Sequence, residues 1–180
     1  MRWSVMWVAL LLWHGAQAAP GPDVRVELEV VAVQAPGPDG RERFGPAEKV
    51  SPGDLLEYRA RYVNRGDATA RDVEATLPIP AGGVVYVADS ARPRSVLAST
   101  DGTLFEAMPL KRTVTLPDGR RQTELVPLAE YRYLRWKLGN LAAGGDVTVV
   151  SRVRLTSLDV AQSGVTPGLP AGANGRAPAR

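Results

Sequence analysis

The chain has 180 residues, no cysteine and one histidine, and its 22 basic and 19 acidic residues leave a formal net charge of +3. That length suits one domain with a real hydrophobic core. The lack of cysteine excludes disulfide staples and thiol chemistry, and so small a charge does not by itself imply nucleic-acid or membrane binding.

Arg2 supplies a minimal positive start, Trp3 to Trp13 is apolar apart from Ser4, and His14-Gly15-Ala16-Gln17-Ala18 is a polar, small-residue exit. This order predicts a signal peptide over 1–18 with cleavage after Ala18, since Ala16 and Ala18 flank Gln17 as the cleavage rule requires. The apolar run is shorter than the roughly 20 residues a transmembrane helix needs. Cleavage removes His14, Trp3, Trp7 and Trp13, so the exported chain is expected to carry no His, no Cys and one Trp, Trp136. The expectation is a soluble exported protein, periplasmic or secreted, with no membrane span after cleavage.

Residues 19–23 read as an extended leader and 159–180 as a disordered Pro/Gly/Ala-rich tail, too poor in large apolar residues to offset its ordering entropy. Between them, over 24–158, the periodicity is two. Val24, Val26, Leu28 and Val30 alternate with Arg25, Glu27 and Glu29. The same alternation holds for Leu56-Tyr58-Ala60-Tyr62, Val73-Ala75-Leu77, Leu134-Trp136-Leu138 and Val147-Val149-Ser151-Val153-Leu155. Each reads as a half-buried strand with one wet face, and Val84 to Ala88 adds a short one. Turn chemistry separates them: Pro52-Gly53, Asn64-Arg65-Gly66-Asp67, Gly82-Gly83, and Asp118-Gly119 at a hairpin tip. Short strands at regular spacing predict an all-β antiparallel sandwich of about seven to nine strands with an extra hairpin.

Five ordered blocks resemble a known family. They are Val50 to Tyr58, Tyr62 to Ala68, Leu77-Pro78-Ile79-Pro80-Ala81-Gly82, Tyr86 to Ala91, and Leu134 to Gly144 with a Val-rich last strand. Their order is similar to the bacterial extracytoplasmic repeats called "domain of unknown function eleven", and especially to a single-domain subgroup with an Asp-Gly segment like Thr100 to Phe105. Ala143 departs from the family's usual Pro. The resemblance implies an immunoglobulin-like fold outside the cytoplasm and no known activity.

The residue types argue against catalysis. Without His or Cys, the usual nucleophile–base pairs and zinc or copper sites have no ligands, and Asp101 and Asp118 are single turn acids rather than a calcium loop. We therefore expect no enzyme, cofactor or metal. Arg65-Gly66-Asp67 spells an adhesion tripeptide, but its residues are those the turn itself wants. Trp136, in phase with Leu134 and Leu138, reads as core.

The candidate interaction face lies opposite Trp136: Tyr131, Tyr133, Arg135 and Lys137, joined by Arg152 and Arg154 if the last strand lies beside it in immunoglobulin order. Such a face would suit an anionic envelope glycan or lipid headgroup. Asp72 and Glu74 beside it, and Glu27 and Glu29 facing Arg59 and Arg61, point instead to a solvated, charge-balanced surface. The expected function is a non-catalytic structural or protein-interaction module of the cell envelope or secretome, the alternative being an anionic-polymer binder through the Tyr/Arg face. Whether the hairpin covers a sheet edge or presents a new one is open at this level.

Overall fold

The computed structural model describes residues 21–156. The expected signal peptide, the start of the expected leader, residues 157–158 and the expected tail lie outside the described residues. Eleven strands follow in order: β1 Val24–Gln34, β2 Arg43–Pro46, β3 Leu55–Asn64, β4 Ala70–Pro78, β5 Val84–Tyr86, β6 Leu97–Ser99, β7 Glu106–Ala107, β8 Lys111–Thr115, β9 Arg121–Leu125, β10 Tyr133–Leu141 and β11 Asp146–Leu155. A single 3-10 turn, Leu128–Glu130, precedes β10. Every strand pair is antiparallel. Nine strands form two sheets, ordered β2-β1-β3-β11-β5 and β4-β10-β6-β7, and β8 and β9 pair only with each other. This is the expected all-β sandwich with its extra hairpin.

The two inner faces make one core. On β3, Leu56, Tyr58, Ala60 and Tyr62 point inward, and the register sets them beside Val153, Ser151, Val149 and Val147 of β11. From the facing sheet come Ala75, Leu77, Leu134 and Trp136, and the last two are fully buried. Full burial of each large apolar side chain contributes on the order of 1.5–3 kcal/mol. The indole nitrogen of Trp136 is not stranded there, because it donates to the Pro93 carbonyl at 2.8 Å.

Turns close as their residues dictate. Asp54 N–H donates to the Ser51 carbonyl at 3.0 Å around Pro52-Gly53, and Gly119 N–H donates to the Leu116 carbonyl at 2.9 Å. Gly119 sits at φ 83°, a left-handed conformation that a Cβ would strain.

The sandwich blunts its own edges. β5 and β7 run for three and two residues. β2 runs for four, with Phe44 beneath the Arg59 guanidinium at 4.3 Å. β4 is longer, but it carries exposed Arg71, Asp72 and Glu74 and is kinked at Asp72, φ 51°. The β8–β9 hairpin is protected only by its charged side chains: among the described residues, its two five-residue strands stand outside both sheets with both edges unpaired.

Candidate interaction surface

The six residues of the expected face do not form one surface. Tyr133, Arg135 and Lys137 do project from one side of β10, away from Trp136. Tyr131 belongs to the core instead: it is fully buried, its ring stacks on Tyr86 at 6.0 Å, and its hydroxyl accepts the Leu110 N–H at 2.7 Å. The physical reason is that β10 begins only at Tyr133: Tyr131 caps the 3-10 turn Leu128–Glu130, and the strand's alternation does not extend back to it.

Arg152 and Arg154 are placed on the opposite side of the molecule. Their strand, β11, lies between β3 and β5 rather than beside β10. The crossing is fixed by Asn64, which is fully buried at the end of β3. Its side-chain amide donates to the carbonyls of Leu141 and Ala142, at 2.9 and 3.1 Å, and its backbone accepts from Gly144 N–H and donates to the Gly145 carbonyl. The turn after β10 is thereby delivered to β3, and the Val-rich last strand is buried in the other sheet.

What remains of the Tyr/Arg face is covered by the chain itself. Arg135 lies 3.6 Å above the Phe105 ring, donates to Thr76 Oγ1 at 3.1 Å, and has Glu74 at 3.7 Å. Tyr133 meets Phe105 edge-on at 6.4 Å. Gly102, at φ 81°, packs so closely over Tyr133 that a Cβ there would lie 2.9 Å from its ring. This loop is organised by Asp101, whose Oδ1 accepts from Ser99 Oγ and from the N–H groups of Thr103 and Leu104. Those donors hold its carboxyl well below the usual carboxylate range. Lys137 alone of the three stays exposed.

The outer face of the five-stranded sheet is a charge-balanced network. Glu27 and Glu29 lie across from Arg61 and Arg59 in register and pair with them at 3.3 and 3.5 Å, as the sequence suggests. Arg61 also reaches Asp146 at 3.0 Å. Glu57, almost fully buried, takes Arg59 on one oxygen and Arg152 on the other, each at 2.7 Å. Arg152 then grips both oxygens of Glu42, at 2.8 and 2.7 Å, which holds the Glu42 carboxyl below its ordinary value. Arg154 donates to the Gly53 carbonyl at 2.7 Å. Sequence reasoning missed Glu57 and Glu42; an acid set directly between Leu55-Leu56 and Tyr58 is the signal that could have found the first.

Arg65-Gly66-Asp67 is locked in its turn. Arg65 pairs with Glu27 at 2.9 Å and its N–H donates to the Asp23 carbonyl, while Gly66 N–H donates to Asn64 Oδ1. A Cβ at Gly66 would collide with the Gly21 carbonyl oxygen.

The least satisfied surface is the hairpin and its base. There an open groove of about 210 Å³ separates the hairpin root, at Leu110, Arg112 and Val126, from Thr100, Leu104 and Glu106. Leu104 and Leu125 are 63% and 60% exposed, the two most exposed large apolar side chains among the described residues. Arg112 spans the root, donating to Glu124 at 2.7 Å and Glu130 at 2.6 Å. Among the described residues no group of three or more His, Cys, Asp or Glu could hold a metal, and no helix is long and apolar enough to cross a membrane.

The molecule is thus an antiparallel β-sandwich carrying a free-standing two-stranded arm. No protein-family model, no curated protein and no solved structure matches the chain.

Proposed function

We propose that this protein is a non-catalytic interaction module that works outside the cytoplasm and engages a protein partner through the β8–β9 arm. The observation that carries this reading is the arm itself. It lies outside both sheets, leaves two strand edges unpaired among the described residues, and exposes Leu125, while the groove that Leu104 flanks opens at its root. An isolated two-stranded hairpin is marginal in water, and strand addition to a free edge is a general mode of protein recognition.

Three further features support the reading. The signal-like order of residues 1–18 supports export, and the five blocks similar to the "domain of unknown function eleven" repeats support a place in the cell envelope. Of the three acids at the groove, Asp101 is engaged by its own loop and Glu130 by Arg112, which leaves the exposed Glu106 without a second free carboxylate beside it. That disposition favours contact over acid–base work. Glycan or headgroup binding by the six residues of the Tyr/Arg face, Lys137 among them, has less support, since Tyr131 is buried and Arg152 and Arg154 lie on the opposite sheet from Tyr133 and Arg135.

The test is capture from the source organism's envelope fraction with the purified protein, at low and at high salt. Recovery of a discrete protein that survives high salt is the expected result. Recovery of polymer or lipid at low salt alone would overturn the protein-partner reading. N-terminal sequencing of the exported form should begin at Ala19.

A further inference from the structure

The hairpin register places Lys111 opposite Leu125, Arg112 opposite Glu124, Thr113 opposite Thr123, Val114 opposite Gln122 and Thr115 opposite Arg121. Val126 N–H donates to the Leu110 carbonyl, and Leu116 N–H donates to the Arg120 carbonyl. Inward-bonded pairs recur at every second position of an antiparallel ladder, so Arg112/Glu124 and Val114/Gln122 also turn their backbone groups toward each other. It follows that Arg121, Thr123 and Leu125 turn their N–H and C=O groups to the free edge of β9. Lys111, Thr113 and Thr115 do the same along β8.

The β9 edge is self-complementary. Placed antiparallel to itself about a two-fold axis at Thr123, it sets Arg121 against Leu125 of the second copy, and Gln122 against Glu124. Every outward backbone group of the three residues then meets one from the other copy, two bonds per facing pair. The aliphatic stem of Arg121 covers the exposed Leu125. The Gln122 amide donates to a Glu124 carboxylate. Thr113 and Thr123, already cross-strand neighbours, extend into one row of four threonines. Each copy brings one Arg and one Glu, so the joined edge is neutral. The β8 edge lacks this balance: a two-fold at Thr113 would gather Lys111 and Arg112 of both copies with no acid among the strand residues.

We propose that two copies of this chain pair through β9, joining their hairpins into one continuous four-stranded antiparallel sheet. The symmetry is the ordinary isologous kind, and pairing supplies the extra strands that an isolated hairpin lacks. Because only five residues a side are joined, the dimer is weak and concentration-dependent. The proposal rests on the hairpin being the contact element, as in the function proposed above, and names a second copy as its occupant.

The test is sedimentation of the purified protein over a series from micromolar to millimolar, with Gln122→Glu and Gln122→Lys beside the wild type. Within one hairpin position 122 faces Val114, and on its own face Arg112 is the diagonal neighbour, so Gln122→Glu leaves the monomer intact. Across the two-fold axis it opposes Glu124. We expect a reversible monomer–dimer equilibrium, weakened at least severalfold by Gln122→Glu and strengthened by Gln122→Lys at low salt. Thr123→Pro, which removes an outward N–H, should abolish the dimer, whereas Thr113→Pro should spare it. Circular dichroism and the thermal midpoint establish that each variant folds. A wild type that stays monomeric throughout, or a dimer indifferent to position 122 and to Thr123→Pro, overturns the proposal. A monomer that still captures an envelope protein through its hairpin overturns self-pairing and leaves the proposed function standing. A dimer that captures nothing does the reverse.

Discussion

The phenol of Tyr131 accepts the backbone N–H of Leu110 at 2.7 Å, and both residues are buried. A core side chain thereby anchors the first residue below the free-standing arm. Tyr131→Phe would leave that buried amide without a partner, at a cost of about 1–3 kcal/mol. Urea unfolding should show the loss, and hydrogen exchange should place it at Leu110 and the hairpin root. Unchanged stability and exchange would mean the bond anchors nothing.

Trp136 is fully buried between the sheets and bonded to the Pro93 carbonyl. Trp136→Ala should cost about 3–5 kcal/mol. In a protein lacking residues 1–18, Trp136 is the sole tryptophan, so its fluorescence should be blue-shifted in the native state and move to the red on unfolding. A red native emission would contradict its place in the core.

Arg152 and Arg154 should separate cleanly. Arg152→Ala leaves the buried Glu57 with only Arg59 and frees Glu42, at a cost of about 1–3 kcal/mol once partial solvent screening is allowed for. Arg154→Ala should fall within about 0.5 kcal/mol of wild type. Charge reversals at Arg135 and Arg154 should be additive in stability and in any binding, because the two lie on different sheets. Strong coupling between them would revive a shared face.

Acid should destabilise the fold. Neighbouring arginines or backbone amides depress the carboxyls of Glu42, Asp101, Asp118 and Asp146. A carboxyl held below its unfolded value contributes stability that is complete above that value and lost as pH falls through the folded one. The ordinary values are 3.8 for Asp and 4.5 for Glu. Thermal midpoints should therefore hold level from neutral pH to about 5 and decline below about 4. A midpoint that rises on acidification would contradict these pairings.

Much of the fold was legible because its strands alternate cleanly. Inward Leu56, Tyr58, Ala60 and Tyr62, the burial of Trp136, the Asp118-Gly119 hairpin and the Glu27–Arg61 and Glu29–Arg59 pairs all follow from period two and turn chemistry. The candidate face was less legible. Alternation says which side of a strand a residue takes, but not where a preceding 3-10 turn resets the phase, and so Tyr131 was misplaced. Nor does it say which sheet a strand joins. That choice rests on Asn64 bridging to Leu141 and Ala142, positions 77 and 78 residues away. The two-residue β7 and three-residue β6 are too short for any periodicity to reveal.

The central claim, that the arm is the contact element, is tested most directly by replacing Lys111–Leu125 with a short turn and repeating the envelope capture. The arm adds no strand to either sheet, so the variant should keep its sandwich, with a near-native thermal midpoint and Trp136 still buried. It should also lose the captured protein. Undiminished capture by a folded, armless sandwich would contradict the account and move the contact to another surface.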